Sequence, residues 1–292
     1  MRITEQVVLL GHSKSLVGIF TRPVGGKETL RDFGIVILNT GIIHRVGHHR
    51  MYVTLSRALA ELEYPTVRFD FSGIGDSDKP SHDLPPLESA MSEINEVLDW
   101  LQTTKKVGQF VLIGLCMGAD HAVLYAATDP RVVGLVLIDP TMPPTLRYFR
   151  DYLQRRLLNA RSWINFAFGG TSRVRLMLIE RVRGALFKDW QPTSPTWSHP
   201  KLRSQIGQIY EASVKRGVKF LMVLTGGWHQ TTYAEQLVEA FPNVNFSGLL
   251  RSEFLRHSDH IFRSEISRAQ LQKLILEWLG ENYANGGIEN GS

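Results

Sequence analysis

The chain has a single cysteine, Cys116, among its 292 residues. One cysteine excludes an intramolecular disulfide, so we expect a reducing compartment and a thiol that is free for chemistry. The chain also lacks a run of about 18 apolar residues, the length that a membrane-spanning helix needs. Its first residues, Met1–Gln6, show no basic segment followed by an apolar one. We therefore expect a cytoplasmic protein without a membrane span.

The composition is that of an ordinary globular protein. Hydrophobic residues make up 43% of the chain and charged residues 21%, and the formal net charge is +5. A chain of this length can bury a large core without disulfides, so we predict one large α/β domain with an insertion. Residues 283–292 are rich in glycine and polar side chains, and we predict a disordered tail there.

Apolar strand-like runs alternate with helical stretches along most of the chain. After two opening strands at Gln6–Leu10 and Leu16–Thr21, strands are predicted at Gly34–Leu38, Thr66–Asp70, Phe110–Ile113, Val133–Ile138, Val218–Leu224 and Asn245–Leu250. Helices are predicted at Arg50–Leu62, Leu87–Thr103, Ala119–Thr128 and Glu265–Leu279. Largely apolar strands separated by helices are typical of a parallel sheet covered on both faces.

The turn Gly114–Gly118, with the sequence Gly-Leu-Cys-Met-Gly, joins a buried strand to a helix. Small residues on both sides of Cys116 let the backbone turn sharply, so that the side chain stands out on a strained backbone. A strand, a sharp turn and a helix form the context of a nucleophile elbow, which usually carries serine. The alternative is a buried cysteine that packs as a small apolar side chain.

Several ordered motifs resemble those of the α/β-hydrolase superfamily. They are the elbow at Cys116, the segment Arg68–Ser77 (Arg-Phe-Asp-Phe-Ser-Gly-Ile-Gly-Asp-Ser) and the late Ser258–His260. More narrowly, Asn39–Gly47 followed by Arg50–Tyr52 is similar to the exosortase-associated and biosynthetic-cluster hydrolases. The likeness implies an α/β-hydrolase fold with a mostly parallel central sheet, flanking helices and a helical cap. It implies a reaction class and no particular substrate.

The resemblance also implies partners for Cys116. His260 matches the family histidine, which follows the last strand and acts as the base; His257 in the same loop is a rival. After strand Val218–Leu224 the family usually has an acidic residue, but residues 225–230 read Thr-Gly-Gly-Trp-His-Gln. Asp139, one strand earlier, is the candidate acid. It could instead cap an Asp-Pro turn, or cysteine and histidine could work without an acid.

Two backbone N–H groups are expected to form an oxyanion hole. One belongs to Met117, directly after the candidate nucleophile. The other belongs to Ile42 in the loop after the third strand, with Gly41 as the next choice. Gly41 is also a candidate substrate contact, and its alternative role is to permit a tight turn.

A helical, arginine-rich block at Pro144–Arg216 interrupts the alternation. We assign residues 1–140 and 217–282 to the hydrolase core and 141–216 to a cap inserted over one face. The apolar face of the cap, with Trp163 and Phe166, is expected to shape the substrate pocket. Its basic face is either solvated or binds an anionic carrier, such as an acidic acyl carrier protein or a coenzyme A thioester.

Other chemistries fit the sequence poorly. His44, His48 and His49 stand beside arginines, which would oppose a dication, so we expect no metal. The segment Gly73–Gly75 lacks the third glycine and the following helix of a dinucleotide-binding fingerprint, so we expect no cofactor. Because no recognised binding module accompanies the positive charge, we expect no nucleic acid.

The sequence therefore predicts a hydrolase that cleaves an ester or thioester through an acyl-enzyme on Cys116. One alternative is an acyltransferase, in which an amine or alcohol resolves the same acyl-enzyme. Another is a non-catalytic binding protein of the same fold, which the missing acid after Val218–Leu224 favours.

Overall fold

A computed structural model of the chain describes residues 2–24, 33–80, 83–157 and 200–283. The strands are β1 (Ile3–Leu10), β2 (Leu16–Pro23), β3 (Phe33–Leu38), β4 (Thr66–Phe69), β5 (Gln109–Leu115), β6 (Val132–Ile138), β7 (Lys219–Thr225) and β8 (Leu250–Leu255). They form one sheet in the order β1-β2-β4-β3-β5-β6-β7-β8. The pairings β1·β2 and β2·β4 are antiparallel, and the others are parallel.

Helices cover both faces of this sheet. The α-helices within the described residues are α1 (Met51–Glu61), α2 (Pro86–Lys105), α3 (Met117–Ala126), α4 (Leu146–Leu157), α5 (Pro200–Lys215), α6 (Gln236–Ala240) and α7 (Glu265–Tyr283), and a short 3-10 helix at His48–Arg50 precedes α1. α2, α3 and α5 pack on one face and α1 and α7 on the other. The central strands are buried almost throughout, which is why they read as continuous apolar runs. The predicted α/β-hydrolase fold is confirmed.

The prediction of a strand at Asn245–Leu250 is wrong. β8 begins at Leu250, where the predicted strand ends. Within the described part of the chain β8 is an edge strand that pairs only with β7. It contains the half-buried Arg251 and Glu253, so it lacks a continuous apolar run. Val244 and Phe246 are buried in the core from the loop before it, which explains the apolar pattern there.

The predicted insertion and tail fall only partly within the described residues. α5 lies near the end of the insertion and packs Ile206 and Tyr210 into the core. Residues 158–199, which include the predicted pocket residues Trp163 and Phe166, lie outside the described residues. The division at 141–216 therefore stays a prediction. Residues 284–292 of the predicted tail also lie outside, whereas Tyr283 ends α7 and donates a hydrogen bond to the Val133 carbonyl.

Across the four described ranges, the structure contains no helix that is both long enough and apolar enough to cross a membrane.

Candidate active site

The backbone at Cys116 has a conformation that non-glycine residues seldom adopt. Its φ is 55° and its ψ is −120°, and it lies between the end of β5 and the start of α3. Such strain is characteristic of residues whose side chains must be presented in one direction. The thiol is free and half-buried. Because α3 starts at Met117, rather than at the predicted Ala119, Cys116 is the N-cap residue directly before the helix.

The two glycines of the turn are required by close packing. A Cβ at Gly114 would lie 2.2 Å from the carbonyl carbon of Gly118, and a Cβ at Gly118 would lie 2.5 Å from the Asn39 oxygen. The strand, the helix and the loop after β3 therefore approach each other as backbone against backbone. This approach places the helix start beside the loop that contains Gly41 and Ile42.

Backbone N–H groups at the start of α3 directly follow Cys116, the candidate nucleophile. The first N–H groups of a helix have no acceptor within the helix, and Met117 is the first residue of α3. The N–H groups of Ala119 and Asp120 donate to the Cys116 carbonyl and hold the turn closed. A helix start also carries partial positive charge, which favours a thiolate or an oxyanion nearby.

The structure brings His260 and Asp139 together. The Nδ1 atom of His260 lies 2.9 Å from Oδ2 of Asp139, although the two residues are 121 positions apart. The Asp139 side chain is fully buried, and 19% of the His260 side-chain surface is exposed. His257, the rival, is exposed in the same loop. Asp139 therefore contacts a histidine rather than serving only as a turn residue.

Thr225 holds the Asp139 carboxylate in place. Its backbone N–H donates to Oδ1 at 2.7 Å, and its hydroxyl donates to Oδ2 at 2.6 Å. Thr225 ends β7 and Asp139 follows β6, and these neighbouring parallel strands end at the same edge of the sheet. The strand that lacks an acid thus supplies the donors for the acid of its neighbour. Sequence reasoning missed this role of Thr225, because a single threonine carries no local signal.

The surroundings of His260 favour its protonated form. Burial lowers the pKa of this histidine, but hydrogen bonds to Asp139 and Cys116, together with electrostatic interactions with the same two residues, outweigh burial and raise its pKa to about 9. The contact with Cys116 means that the same imidazole faces the thiol and the carboxylate. An imidazolium between these groups is suited to stabilise a thiolate.

The loop after β3 forms a tight turn at the position expected for the second oxyanion donor. The N–H of Ile43 donates to the Thr40 carbonyl at 3.0 Å, so Gly41 and Ile42 occupy the centre of the turn. Gly41 has a φ of +54°, which favours glycine. The side chain of Ile42 points away from the core and is 89% exposed. The Ile42 side chain therefore takes no part in the packing of the turn.

A buried polar network supports this turn from behind. Asn39 donates from Nδ2 to the Ile43 carbonyl at 2.7 Å and to Asp70 at 3.3 Å. Asp70, fully buried after β4, also accepts hydrogen bonds from the backbone and the guanidinium of Arg45. Arg45 and Asp70 thus form an ion pair behind the turn. Within the described ranges, no three His, Cys, Asp or Glu side chains are grouped to hold a metal ion.

Tyr52 links the turn to the end of β5. Its hydroxyl lies 2.6 Å from Oγ1 of Thr40, and it also makes a hydrogen bond with the Leu115 backbone. Burial raises the pKa of Tyr52 to about 12, so the phenol stays protonated at neutral pH. Because Thr40 precedes Gly41 and Leu115 precedes Cys116, one buried phenol connects the two backbone segments expected to form the oxyanion hole.

A double-mutant cycle tests this link. We expect Tyr52→Phe and Thr40→Val each to lower the free energy of unfolding by about 1 to 2 kcal/mol, because each leaves a buried polar group unpaired. The double variant should cost about 0.5 to 1.5 kcal/mol less than the sum, since the contact is shared. Urea unfolding measures all four proteins, and strictly additive costs would contradict the contact.

The fold and the site together define a class of protein. A sharp cysteine turn after a central strand, with a histidine and an aspartate at the same sheet edge, is the framework of an α/β-hydrolase. The family model for the alpha/beta hydrolase fold matches residues 34–275. The chain belongs to this family, which supports an enzyme of the esterase-like type. The narrower resemblance to exosortase-associated hydrolases stays a prediction.

Solved structures share this fold at low sequence identity. The esterase Pf2001 from Pyrococcus furiosus aligns with a TM-score of 0.55 and 13% identity, over 96% of this chain and 90% of its own. DcsB, solved in complex with its substrate analogue, aligns with a TM-score of 0.55 and 18% identity, over 96% of this chain and 100% of its own. A serine hydrolase without lid from Xanthomonas campestris aligns with a TM-score of 0.50 and 15% identity, over 95% of each chain. Among curated proteins, none matches the chain significantly.

Proposed function

We propose that this chain is a hydrolase that cleaves an ester or thioester through an acyl-enzyme on Cys116. The observation that carries the proposal is the placement of Cys116 on a positive-φ turn in contact with His260, which is in turn hydrogen-bonded to Asp139. A thiolate is the reactive form of cysteine, and a neighbouring imidazolium stabilises it.

The first half of the proposed reaction forms the acyl-enzyme. The Cys116 thiolate attacks the carbonyl carbon, and the resulting oxyanion accepts hydrogen bonds from the N–H groups of Met117 and Ile42. The intermediate collapses, the bond to the leaving group breaks, and His260 donates its proton to the departing alcohol or thiol. Cys116 then carries the acyl group as a thioester.

The second half releases the product. His260, now neutral, removes a proton from a water molecule, and the hydroxide attacks the thioester carbon. Collapse of this second intermediate releases a carboxylic acid and restores the Cys116 thiolate beside the His260 imidazolium. Asp139 holds the ring through Nδ1, so that the other nitrogen faces the reacting atoms.

Acyl transfer is the second candidate. The presence of cysteine favours it, because thioesters react well with amines while they hydrolyse slowly. In that reaction His260 would remove the proton from an amine or alcohol instead of water. The hydrogen bond between Asp139 and His260 weakens the third alternative, a non-catalytic binding protein, since the motive for that alternative was the missing acid.

Intact mass measurement tests the proposal directly. Mixing the protein with a short acyl p-nitrophenyl ester is expected to add one acyl group, because Cys116 is the single thiol in the chain. An adduct that disappears in water supports hydrolysis, whereas one that persists until an amine is added supports acyl transfer. A protein that neither gains an acyl group nor releases p-nitrophenol at pH 8 with esters of several chain lengths would contradict both reactions.

The carrier proposal concerns the arginine-rich segment. Most of it lies outside the described residues, so an acidic acyl carrier protein or a coenzyme A thioester stays a candidate partner on the grounds of sequence alone. The same mass assay, run with an acyl coenzyme A in place of the ester, extends the test to this substrate class.

A further inference from the structure

The indole of Trp228 lies flat on the imidazole of His260. The ring centroids are 3.9 Å apart and the planes differ by 14°, so the two rings overlap face to face. The edge of the imidazole is engaged by Asp139 at Nδ1. The carboxylate therefore limits movement of the imidazole within the plane of the ring, and the indole limits movement out of that plane.

Backbone contacts fix the loop that carries Trp228. The N–H of Gly226 donates to the Leu255 carbonyl at 3.1 Å, and the N–H of Gly227 donates to the Ser258 carbonyl at 3.0 Å. A Cβ at Gly227 would lie 2.6 Å from the Cα of Asp259, so only glycine allows this approach. The loop after β7 is thus fastened to the loop that carries His260, and the stack does not depend on side-chain contacts alone.

The charged groups around the imidazole come from four parts of the chain. Asp139 follows β6, and Cys116 precedes α3; both favour the imidazolium. His48 precedes α1. Burial lowers its pKa most, and the charges of His49 and His260 lower it further. Asp259 acts on His48 in the opposite direction. Trp228 is uncharged, and it stacks on one face of the imidazole.

An aromatic face carries partial negative charge and attracts a cation within about 6 Å, most strongly when the aromatic ring is tryptophan. We infer that Trp228 is a positioning residue of the site, which stabilises the imidazolium of His260 over neutral imidazole and holds the ring between Asp139 and Cys116. The inference rests on the proposed role of His260. It also gives a function to the position after β7 where the family usually has its acid.

The test compares the titration of His260 in Trp228→Leu, Trp228→Met and Trp228→Phe with that of the wild type. Histidine Cε1 resonances report each pKa by NMR without any substrate, and the signal of His260 is assigned by its loss in His260→Gln. We expect the pKa of His260 to fall by about one unit in the leucine and methionine variants, the size of a partly desolvated cation–π contact. The phenylalanine variant should retain more than half of the wild-type shift. Trp100→Leu, remote from the site, is the matched control for loss of a tryptophan.

Alkylation of the single cysteine by iodoacetamide supplies a second measurement. The rate of alkylation is followed against pH, and the step that reports loss of the His260 proton should move to lower pH by the same amount in the leucine variant. In that variant kcat/KM for the ester should also fall more at pH 8.5 than at pH 7. An unchanged His260 titration in the leucine and methionine variants overturns the inference, and so does an equal fall in the phenylalanine variant. Because the NMR titration needs no turnover, it stands apart from the acyl-adduct test of the proposed function. A protein can fail either test while passing the other.

Discussion

Cys116→Ala is expected to abolish formation of the acyl adduct and to reduce ester hydrolysis by at least about 1,000-fold. The residual rate would come from substrate binding and the oxyanion donors, since the attacking atom is gone. The side chain is small and half-buried, so the melting temperature should change little. Release of p-nitrophenol and intact mass provide the two measurements.

Cys116→Ser is the matched control for this change. Serine keeps a nucleophilic atom at the same place but ionises much less readily than a thiol, so its activity should lie between those of the wild type and the alanine variant. Alanine turnover within tenfold of the wild type would contradict the assignment of the nucleophile. A retained mass adduct in the alanine variant would point to a different acylated side chain.

Asp139→Asn is expected to lower turnover by about 1,000-fold to 10,000-fold. An amide of the same shape can present an N–H to Nδ1 of His260 and so stabilise the wrong tautomer, as in triads where the acid is replaced. The negative charge is also lost, so the pKa of His260 should fall from about 9 toward its ordinary value of 6.5. The imidazolium would then be lost at lower pH, and the alkaline limb of the rate profile should move in that direction.

Two measurements separate the positioning role of Asp139 from a merely structural one. The pH dependence of kcat and the NMR titration of His260 should both shift in Asp139→Asn. Thr225→Val, which removes one donor and leaves the charge, should shift them far less. The alternative, a cysteine–histidine pair that needs no acid, would be favoured if Asp139→Asn is folded and retains turnover within tenfold of the wild type.

The predicted strands and helices matched the structure where burial was uniform. The central strands could be located from sequence because both of their faces are covered, which produces continuous apolar runs. The last strand could not be located in this way, because it is an edge strand that contains Arg251 and Glu253. The apolar residues Val244 and Phe246 lie in the loop before it and are buried in the core. A local apolar pattern shows which residues are buried. Buried residues form a continuous strand only in the centre of the sheet.

The site divides in the same way. The Gly-Leu-Cys-Met-Gly turn predicted the sharp backbone at Cys116, because close approach of a strand and a helix requires small residues at fixed positions. The contact between Asp139 and His260 remained one of several alternatives, since 121 residues separate them and no local rule relates the ends of two strands to a distant loop.

The sequence by itself determined the order of elements, the turn at Cys116 and the list of candidate residues, because these depend on backbone sterics and burial over short spans. Only the tertiary structure decided which candidates meet. Adjacent parallel strands end at one edge, so Thr225 reaches Asp139, and Trp228 covers His260 from a loop that glycines fasten in place. Such contacts arise from strand order, which is a property of the whole sheet.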